Sequence, residues 1–453
     1  MIKKLILAAM FMASAALFSG CALQLQYGDG LLALPSLPAE YIELQSQINN
    51  ILETGAVSAA AESGENRQSI QLVDIDGDGA NETIAFFRQT DGNYLIKAYK
   101  KEAGSYKEIG SVEAVGLTLH SIYYPVSSVT GQKCLAVCWG IDESNNYGMT
   151  VYTFGEDGME DILSVQYSGI IVGDFSGDSL DELCFAVKDQ SSGQMTLKVY
   201  SLKGKMYEQD AEILLCNEVK NVSSMTLGRY NKNSKAIFLD SAAYGGGYVT
   251  DVVTYSVDGY LRDLSREKDS GSGIKTWRSI EIYCKDIDRD GILEVPTAYS
   301  MMSSLYSDEK NKLNWLEFGE TGFTSKLKTY HMPSDDWYLK WMDNWDDRVV
   351  VQTTRYSRMV KTVFFLLPKN FSISAMPQPD ESNTLLTLYM FSGDNRQAYI
   401  SVYEAKAIIQ KNGFVYAYAL GKADYPEYAV TEENVLANFS RIENEWTLED
   451  NGE

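Results

Sequence analysis

The sequence predicts a mainly β protein, a β-propeller of about five four-stranded blades followed by an α+β domain, with six or seven blades as alternatives. The first observation is a period, because from Gln68 onward the chain falls into units of about 50 to 57 residues with four short strands each. The second is an aspartate-rich turn that recurs between strands of different units. The third is composition, since 30 tyrosines and 12% aromatic residues are typical of strand-rich proteins.

The repeating units define the predicted domain organisation. The first strand of each unit is predicted at Ile70–Asp74, Ser121–Val126, Gly169–Asp174, Ser224–Tyr230 and Ile280–Lys285. The chain then divides into an export signal (1–21), a tether with an amphipathic helix (22–66), the propeller (67–333) and the α+β domain (334–453). If part of the tail or of the N-terminal segment adds a sheet, the number of blades rises to six or seven.

The most informative stretch is the turn Asp74–Glu82, which has carboxylates at positions 1, 3, 5 and 9. Ca²⁺ binds about six to eight oxygen atoms, and the glycines at positions 4 and 6 allow the bend that would gather these carboxylates. The predicted ligands are Asp74, Asp76, Asp78, the carbonyl oxygen of Ala80, and Glu82. Strands flank the turn and no glutamate stands at position 12, so it is not an EF-hand. Acidic turns also occur as solvated loops without metal, and that alternative stays open.

Two further turns repeat this pattern. Asp286–Glu294 is a full copy, with predicted ligands Asp286, Asp288, Asp290, the carbonyl of Ile292, and Glu294. Asp174–Glu182 is a weaker copy because serine stands at position 3, with predicted ligands Asp174, Ser176, Asp178, the carbonyl of Leu180, and Glu182. The corresponding turns of the second and fourth units, 126–131 and 229–233, lack carboxylates, and we expect hydrogen bonds alone to hold them.

These acidic turns between strands resemble the FG-GAP/VCBS repeats, which are best known from the propeller of integrin α subunits. The resemblance covers about residues 66–333. It implies a propeller with Ca²⁺ in the loops between blade strands. The order of N-terminal helix, repeats and tail also resembles uncharacterised lipoproteins of Gram-positive gut bacteria, a likeness that brings no known activity with it.

The first 21 residues predict an export signal. Lys3 and Lys4 precede the apolar run Leu5–Phe18, which is too short to span a bilayer. The end of this segment, Leu17–Cys21, resembles a bacterial lipobox, which implies that Cys21 carries a diacylglycerol group. We therefore expect a lipid-anchored protein on the extracytoplasmic face of the cell membrane. The alternative is an ordinary signal peptide in which Cys21 has no role.

Helices are predicted outside the repeats. An apolar face at spacings of three and four predicts a helix from about Ala39 to Leu52, formed by Tyr41, Leu44, Ile48 and Ile51. In the tail, a helix is predicted at Thr431–Asn444 with Thr431 as its N-cap. Predicted strands in the tail are Thr362–Leu367, Leu385–Phe391, Ala398–Tyr403 and Phe414–Leu420. The tryptophans at 337, 341 and 345 are interpreted as core residues rather than as a binding surface.

Charge and composition exclude several functions. A net charge of −23 argues against nucleic acid as a partner, because such partners require a basic face. The cysteines after Cys21 have neither a zinc spacing nor a disulfide framework, so buried thiols are expected. His120 and His331 are the only histidines, and no nucleophile, phosphate-loop or dinucleotide motif is present, so no catalytic residue is predicted.

Two functional classes follow. The first is a surface lipoprotein whose calcium-stabilised propeller binds a protein or glycan ligand on one face. The second is an extracellular carbohydrate-active enzyme, a lyase or hydrolase, because acidic pairs that could serve as general acid and base are abundant in the sequence. Turnover of a glycan would indicate the enzyme, and binding without turnover would indicate the binding module.

Overall fold

The structure is a computed structural model. It describes residues 39–102, 104–142, 146–155, 158–256, 258–299, 307–371 and 377–442. The predicted export signal, Cys21 and the tether as far as residue 38 lie outside the described residues. Contacts divide the described residues into two compact units, one with residues 39–54, 102 and 104–106, the other with the remaining described residues from 55 to 442.

In the first unit, helix α1 spans Ala39–Glu53, which confirms the predicted N-terminal helix. Leu44 and Ile48, one turn apart on the predicted apolar face, are both buried. The side chain of Gln47 donates a hydrogen bond to the backbone carbonyl of Tyr106 at 2.9 Å. Helix α1 is thereby joined to the tip of a β-hairpin within this unit.

The second unit is built from antiparallel sheets that follow one another along the chain. Sheet 1 contains β1 (Val57–Ser58), β2 (Ile70–Val73), β3 (Glu82–Arg88), β4 (Tyr94–Glu102) and β5 (Ser105–Ala114). Sheet 2 contains β6 (Thr118–Tyr123), β7 (Leu135–Gly140), β8 (Tyr147–Gly155) and β9 (Gly158–Tyr167). Sheet 3 contains β10 (Gly169–Gly173), β11 (Glu182–Lys188), β12 (Met195–Lys203) and β13 (Met206–Leu214).

The later sheets continue the same pattern. Sheet 4 contains β14 (Val219–Arg229), β15 (Lys235–Ala243), β16 (Tyr248–Tyr255) and β17 (Leu261–Asp263). Sheet 5 contains β18 (Val295–Ala298), β19 (Lys312–Gly319), β20 (Gly322–Met332), β21 (Trp337–Lys340) and, from the C-terminal end, β27 (Phe439–Arg441). Sheet 6 contains β22 (Val349–Tyr356), β23 (Met359–Leu366), β24 (Thr384–Phe391), β25 (Lys406–Lys411) and β26 (Phe414–Leu420). Helices α2 (Arg396–Val402) and α3 (Glu432–Asn438) flank β25 and β26 in sequence.

Consecutive sheets share hydrophobic cores. Residues of neighbouring sheets that belong to one buried cluster include Phe86 and Trp139, Cys138 and Phe185, Leu197 and Leu239, Phe238 and Phe318, and Leu339 and Phe364. The central strands read as continuous apolar runs because both of their faces are covered, as in β7, where all six residues are buried. Sheets of four or five antiparallel strands packed face on face in chain order form a β-propeller-like fold, which confirms the predicted fold class.

The predicted C-terminal region supplies the sixth sheet, so the described residues form six sheets, one of the counts that the sequence left open. Trp337, Trp341 and Trp345 are buried in a core formed by sheets 5 and 6, which confirms their interpretation as core residues. The domain boundaries themselves stay predictions. In the described part of the chain, no helix combines the length and apolar character needed to cross a membrane.

Two predicted elements of this region are wrong. Ala398–Tyr403 was expected as a strand and lies in or beside helix α2, where Tyr399 and Tyr403, four residues apart, both stack on Phe391 at ring distances of 5.7 Å. The helix predicted to end at Asn444 ends at Asn438 instead. The next three residues form β27 and pair with β21, and their backbone groups bond to this sheet instead of continuing the helix.

The strand predicted at Ile280–Lys285 is also absent, apart from a single bridge between Lys285 and Glu294. A buried polar network takes its place. Arg278 donates to the carboxylate of Asp240 at 2.7 Å, and both side chains are fully buried. The backbone N–H of Cys284 donates to the same carboxylate at 3.0 Å. These bonds satisfy backbone groups that a strand partner would otherwise have to satisfy.

The remaining cysteines agree with expectation. Cys134, Cys138, Cys184, Cys216 and Cys284 are buried and free. Burial raises the pKa of the Cys138 thiol to about 11, so this thiol stays protonated near neutral pH. Cys138 and Cys184 lie within strands β7 and β11 as small buried groups. The thiols of Cys216 and Cys284 donate to the buried carboxylates of Asp251 and Asp240, at 3.3 and 2.8 Å.

Replacing Arg278 by methionine tests the buried network. The change leaves the Asp240 carboxylate buried without its ionic partner, and we expect the free energy of unfolding to fall by about 3–5 kcal/mol. Chemical denaturation of the purified protein measures it. The control is Arg262→Ala on the exposed side of β17, which should change stability by less than about 0.5 kcal/mol. Equal effects of the two changes would show that the buried pair contributes nothing.

Candidate metal centre

The three acidic turns are called loop A (Asp74–Glu82), loop B (Asp174–Glu182) and loop C (Asp286–Glu294). Loop A joins β2 to β3, loop B joins β10 to β11, and loop C precedes β18. Positions 4 and 6 of all three are left-handed, with φ values of 77° and 85° in loop A, 86° and 72° in loop B, and 66° and 86° in loop C. The three loops therefore have the same backbone turn, although Ser179 and Arg289 stand where the other copies have glycine.

This turn gathers the aspartates of loops A and C. Carboxylate oxygens of Asp74, Asp76 and Asp78 all lie within 4.8 Å of one another, and the same holds for Asp286, Asp288 and Asp290. Backbone N–H groups fix their orientation: Asp74 accepts from Gly77 at 2.9 Å and from Gly79 at 3.0 Å. The acidic residues that the sequence singled out are therefore brought together in both loops.

The glutamate at position 9 of each loop is the deepest group. In each copy one of its oxygens accepts the backbone N–H of position 2, at 3.0 Å in loop A, 2.8 Å in loop B and 3.0 Å in loop C. Glu82 and Glu294 are 1% and 0% exposed, and the second oxygen of each has no hydrogen-bond partner among the described residues. Burial, followed by the neighbouring aspartates, raises the pKa of Glu294 to about 8. A buried carboxylate that lacks partners favours a cation beside it or a bound proton.

Lys100 lies at the mouth of loop A. Its ammonium group pairs with Asp76, lies 2.7 Å from Asp78 and stands 3.7 Å from the unpartnered oxygen of Glu82. These hydrogen bonds raise the pKa of Lys100 above its usual value, and the bond from Lys100 lowers the pKa of Asp78. By formal charge, one lysine leaves loop A, with its four carboxylates, at −3.

Loop C has an equivalent lysine and one more acid. Lys326 donates to Asp290 at 3.0 Å and pairs with Glu317 at 2.6 Å. Oxygens of Asp290, Glu294 and Glu317 form a second group within 4.8 Å of one another. Lys326 lies at a register shift between β19 and β20, and such bulges turn a side chain out of the regular alternation. Lys326 therefore faces three carboxylates, those of Asp288, Asp290 and Glu317.

Loop B gathers fewer acidic groups than loops A and C, as its serine at position 3 predicted. Among the described residues, no group of three ligand atoms gathers there. Lys235 of β15 donates to the backbone carbonyl of Asp174 at 2.6 Å and lies 3.2 Å from its carboxylate. Both Phe175 and Ser176 donate their N–H groups to Glu182 at 2.8 Å. Lys235 and two backbone N–H groups thus supply hydrogen-bond partners to the carboxylates of Asp174 and Glu182 in loop B.

The backbone carbonyls predicted as ligands occupy position 7 of each loop. The N–H groups of Ala80, Leu180 and Ile292 donate to the aspartate at position 5, at 2.8, 2.8 and 2.9 Å. Their role as metal ligands stays a prediction.

The loops also lie at the contacts between consecutive sheets. Backbone hydrogen bonds from these loops to a neighbouring sheet join Lys133 to Ile75, Asp181 to Val126, and Leu293 to Arg229, at 2.8, 3.0 and 2.8 Å. Gly77 approaches the turn of sheet 2 so closely that a Cβ atom there would lie 2.7 Å from the carbonyl of Thr130. The conformation of each acidic loop therefore affects how its sheet packs against the neighbouring sheet.

The turns without carboxylates are closed by neutral hydrogen bonds, as expected. In the fourth unit the side-chain oxygen of Asn231 accepts the N–H groups of Asn233 at 2.9 Å and Ser234 at 2.8 Å. In the second unit Ser128 and Thr130 bond to each other at 2.7 Å. These turns keep the strand connection without concentrating charge.

The lysines and Glu317 are the site residues that sequence reasoning missed. One signal was present for Lys100: in the antiparallel register Thr83 pairs with Tyr99, which places Lys100 beside Glu82 at the loop. Lys326 could not be found in this way, because a register shift places it. Lys235 belongs to sheet 4 and reaches Asp174 of loop B only because sheets 3 and 4 pack together.

The two histidines lie in different surroundings. His331 is fully buried and accepts or donates a hydrogen bond with the hydroxyl of Thr329 at 2.8 Å, and burial lowers its pKa to about 3. His120 is partly exposed and lies against the ring of Tyr147 at 4.3 Å. Its Nε2 is 3.3 Å from the hydroxyl oxygen of Ser63 and its Nδ1 is 3.8 Å from the carboxylate of Glu62, and burial lowers its pKa.

A cavity of about 560 Å³ opens among the first three sheets. Gln71 and Tyr124 line it, and the Tyr124 hydroxyl donates to the Gln71 side chain at 2.6 Å. Lys133, whose backbone holds loop A, also lines this cavity. Polar groups supported by their own hydrogen bonds therefore face a space of the size that small ligands occupy.

Comparisons with known proteins give similar structures and no family. No protein-family model and no curated protein matches the chain. A solved protein from Lactobacillus plantarum is 9% identical with a TM-score of 0.28, covering 67% of this chain and 85% of that one. A Bacillus licheniformis rhamnogalacturonan lyase is 12% identical with a TM-score of 0.33, covering 82% and 75%. An exotype rhamnogalacturonan lyase is also 12% identical with a TM-score of 0.33, covering 81% and 76%.

Likeness at these TM-scores indicates neither a shared site nor a shared activity. The propeller-like architecture rests on the sheets of this chain, and the metal centre rests on the geometry of its own loops.

Replacing Lys100 by methionine tests how the lysine and a divalent cation share loop A. Without divalent cations, loss of the ammonium should lower the free energy of unfolding by about 1 kcal/mol or less, because the pair is partly exposed. With millimolar Ca²⁺ the variant should gain more stability than the parent, since a competing charge is gone. Thermal melts with and without Ca²⁺ measure both effects.

Lys97→Met is the matched control, because Lys97 lies on the same strand and pairs with Glu108 at 2.7 Å, away from the loop. It should leave the calcium response unchanged. An identical calcium response in the two variants would contradict competition at loop A.

Proposed function

We propose that this protein is a surface lipoprotein whose propeller-like fold is a binding module, stabilised by Ca²⁺ in loops A and C. The observation that carries the metal site is the pair of buried glutamates, Glu82 and Glu294. Each places an oxygen without a hydrogen-bond partner among the described residues beside gathered aspartates. Burying such an oxygen as an anion is costly unless a cation or a proton neutralises it, and we assign a cation to this role.

Calcium is the cation that this donor set favours. The available ligands are carboxylate oxygens and backbone carbonyls, with neither imidazole nor thiolate, which is the preference of a hard cation. Several carboxylates on a flexible, glycine-containing turn suit the large, adaptable coordination sphere of Ca²⁺ better than the strict octahedron of Mg²⁺. In loop A one lysine leaves a net negative charge, which a divalent ion would reduce. In loop C, Lys326 and the loop's own Arg289 offset part of the charge of the carboxylates.

The role as a binding module follows from what the site contains. The acidic loops lie at contacts between sheets, where a bound ion would stabilise the fold. The cavity among sheets 1 to 3, with Gln71 and Tyr124 on its wall, provides a place for a protein or glycan ligand. The predicted export signal and the lipobox-like sequence ending at Cys21 support a location on the extracytoplasmic face of the membrane, with a lipid anchor at Cys21. Turnover of a glycan by the purified protein would overturn the binding assignment in favour of the carbohydrate-active enzyme.

Removing calcium tests the metal role. In EDTA the melting temperature of the purified ectodomain should fall, and Ca²⁺ should restore it, because an ion that binds only the folded state at 100 times its Kd adds about 2.7 kcal/mol per site. Asp76→Ala and Asp288→Ala should each remove about half of this response. Differential scanning calorimetry at several Ca²⁺ concentrations gives the shift.

Asp91→Ala is the control, since Asp91 is exposed in a hairpin turn and accepts only the N–H and side chain of Asn93. This variant should respond to Ca²⁺ like the parent. A melting temperature that is the same in EDTA and in Ca²⁺ would rule out a stabilising metal.

Replacing Cys21 by serine tests the anchor. In a bacterial host grown with labelled palmitate, the parent should carry the label and sediment with membranes, whereas Cys21→Ser should be unlabelled, because serine lacks the thiol that accepts diacylglycerol. Cys284→Ser, far from the N-terminus, is the control and should be labelled like the parent. Label in Cys21→Ser would contradict lipid attachment at this residue.

A further inference from the structure

Glu62, Ser63 and His120 form a group of polar side chains beside the first strand of sheet 2, called the Ser63 cluster. The hydroxyl oxygen of Ser63 lies 3.3 Å from Nε2 of His120. Nδ1 of the same ring lies 3.8 Å from the carboxylate of Glu62. The imidazole therefore has a hydroxyl at one ring nitrogen and a carboxylate near the other, which is the order of groups in hydrolases that use serine, histidine and an acid.

A β-bulge sets the position of His120. The pairing of β6 with β7 shifts its register between Leu119 and Ser121, so His120 is an extra residue in β6. Bulges of this kind re-aim a side chain and are common next to active sites. The ring of His120 lies 4.3 Å from that of Tyr147 in β8, and 28% of the side chain is exposed. The imidazole is thus held against a neighbouring ring and is still reached by solvent.

The chain that precedes β2 brings the other two residues to this imidazole. The backbone N–H of Glu62 donates to the carbonyl of Leu119 at 3.0 Å, and that of Ser63 donates to the carbonyl of His120 at 2.8 Å. Ser63 and His120 are therefore joined through their backbones as well as through their side chains, although 57 residues separate them in the sequence. Backbone bonds of this kind fix the position of the serine more firmly than its side-chain contact alone.

The cavity of about 560 Å³ among sheets 1 to 3 begins on the same segment, because Glu65 and Asn66 line it. Three residues of chain span at most about 11 Å, so the cavity wall begins within that distance of Ser63. Tyr123 also lines the cavity. It lies on the same face of sheet 2 as Tyr147, since both pack against one buried cluster. A molecule in this cavity is therefore on the side of the sheet to which His120 is turned.

The surroundings of His120 favour a neutral ring that accepts a proton at Nε2. The carboxylate of Glu62, which also accepts the hydroxyl of Thr118 at 3.0 Å, favours the proton of the neutral ring on Nδ1. Burial, the largest cause, lowers the pKa of His120, so the ring is uncharged near neutral pH. The hydroxyl of Ser63 lies 3.1 Å from the backbone carbonyl of His120, which is its alternative acceptor.

We propose that the Ser63 cluster hydrolyses carboxylic esters, with Ser63 as nucleophile, His120 as general base and acid, and Glu62 as the residue that positions the imidazole. Esters fit this cluster better than amides do, because an alkoxide leaves more readily than an amine. The carboxylate of Glu62 at 3.8 Å attracts the ring without a close hydrogen bond. The inference goes beyond the proposed binding role and depends neither on that role nor on calcium.

The reaction has two halves. The Oγ of Ser63 forms a bond to the ester carbonyl carbon while its proton passes to Nε2 of His120, and the carbonyl oxygen becomes an oxyanion. The oxyanion then collapses, the bond to the leaving oxygen breaks, and the alkoxide takes the proton from Nε2 and departs as an alcohol. Water attacks the acyl group in the same way, and Ser63 regains its proton as the carboxylic acid leaves. The N–H of Gly64 has no hydrogen-bond partner among the described residues and is available to the oxyanion.

Hydrolysis of p-nitrophenyl acetate by the purified protein tests this assignment. The parent should release p-nitrophenol above the rate in buffer, and Ser63→Ala and His120→Gln should each lower kcat/KM by about 100-fold or more, since the nucleophile or its base is lost. Glu62→Gln should lower kcat with little change in KM, and Glu62→Asp should restore part of kcat. Ser58→Ala is the matched control, because Ser58 is an exposed serine on β1, and it should hydrolyse the ester like the parent.

Labelling of the parent with diisopropyl fluorophosphate provides a second test that does not depend on the folding of any variant. The Oγ of Ser63 should bond to phosphorus as the P–F bond breaks, fluoride leaves and the proton passes to His120. Peptide mass spectrometry should find the diisopropylphosphoryl group on Ser63.

Three outcomes would overturn the proposal: a parent that neither hydrolyses the ester nor takes the label, a label found on other residues and not on Ser63, or Ser63→Ala as active as the parent. Loss of the calcium response with intact ester hydrolysis would contradict the proposed calcium role alone, so the two claims are tested separately.

Discussion

The structure depends on the crowding of negative charge in two tight turns. Each turn gathers three aspartates within 4.8 Å and places a buried glutamate behind them. Like charges at this separation repel unless a cation or proton intervenes. Backbone N–H groups and one lysine supply part of the compensation, and the free oxygens of Glu82 and Glu294 show what is left unsatisfied among the described residues. In the proposed metal centre, this repulsion would favour binding of a divalent ion.

The balance between carboxylate repulsion and its compensation affects the whole fold, because the acidic turns lie at contacts between sheets. Loops A, B and C hydrogen-bond to neighbouring sheets, and the sheets share cores with their neighbours along the chain. An ion that orders a loop therefore also supports the contact between two sheets. The turns with Asn231 or Ser128 achieve a similar connection with neutral hydrogen bonds, so charge is not required for the fold at every position.

Much of this architecture is local and could be read from the sequence. Four-strand periodicity predicted the first four sheets and three strands of the fifth, and spacing predicted the acidic turns and helix α1, because each depends on residues close in the chain. The predictions that were wrong concern residues whose structure depends on partners far away in the sequence. The run 398–403 has strand-like composition, yet packing of Tyr399 and Tyr403 on Phe391 favours a helix. Residues 439–441 leave their helix because a free edge of sheet 5 is available. Lys326 enters the metal centre through a bulge that no spacing reveals.

The most direct test of the metal centre is the number of Ca²⁺ ions bound per chain, measured by equilibrium dialysis with elemental analysis. Loops A and C gather their carboxylates and loop B does not, so the account predicts two ions. A chain that binds none at millimolar Ca²⁺ would contradict it, and the buried glutamates would then have to be protonated or paired with lysine.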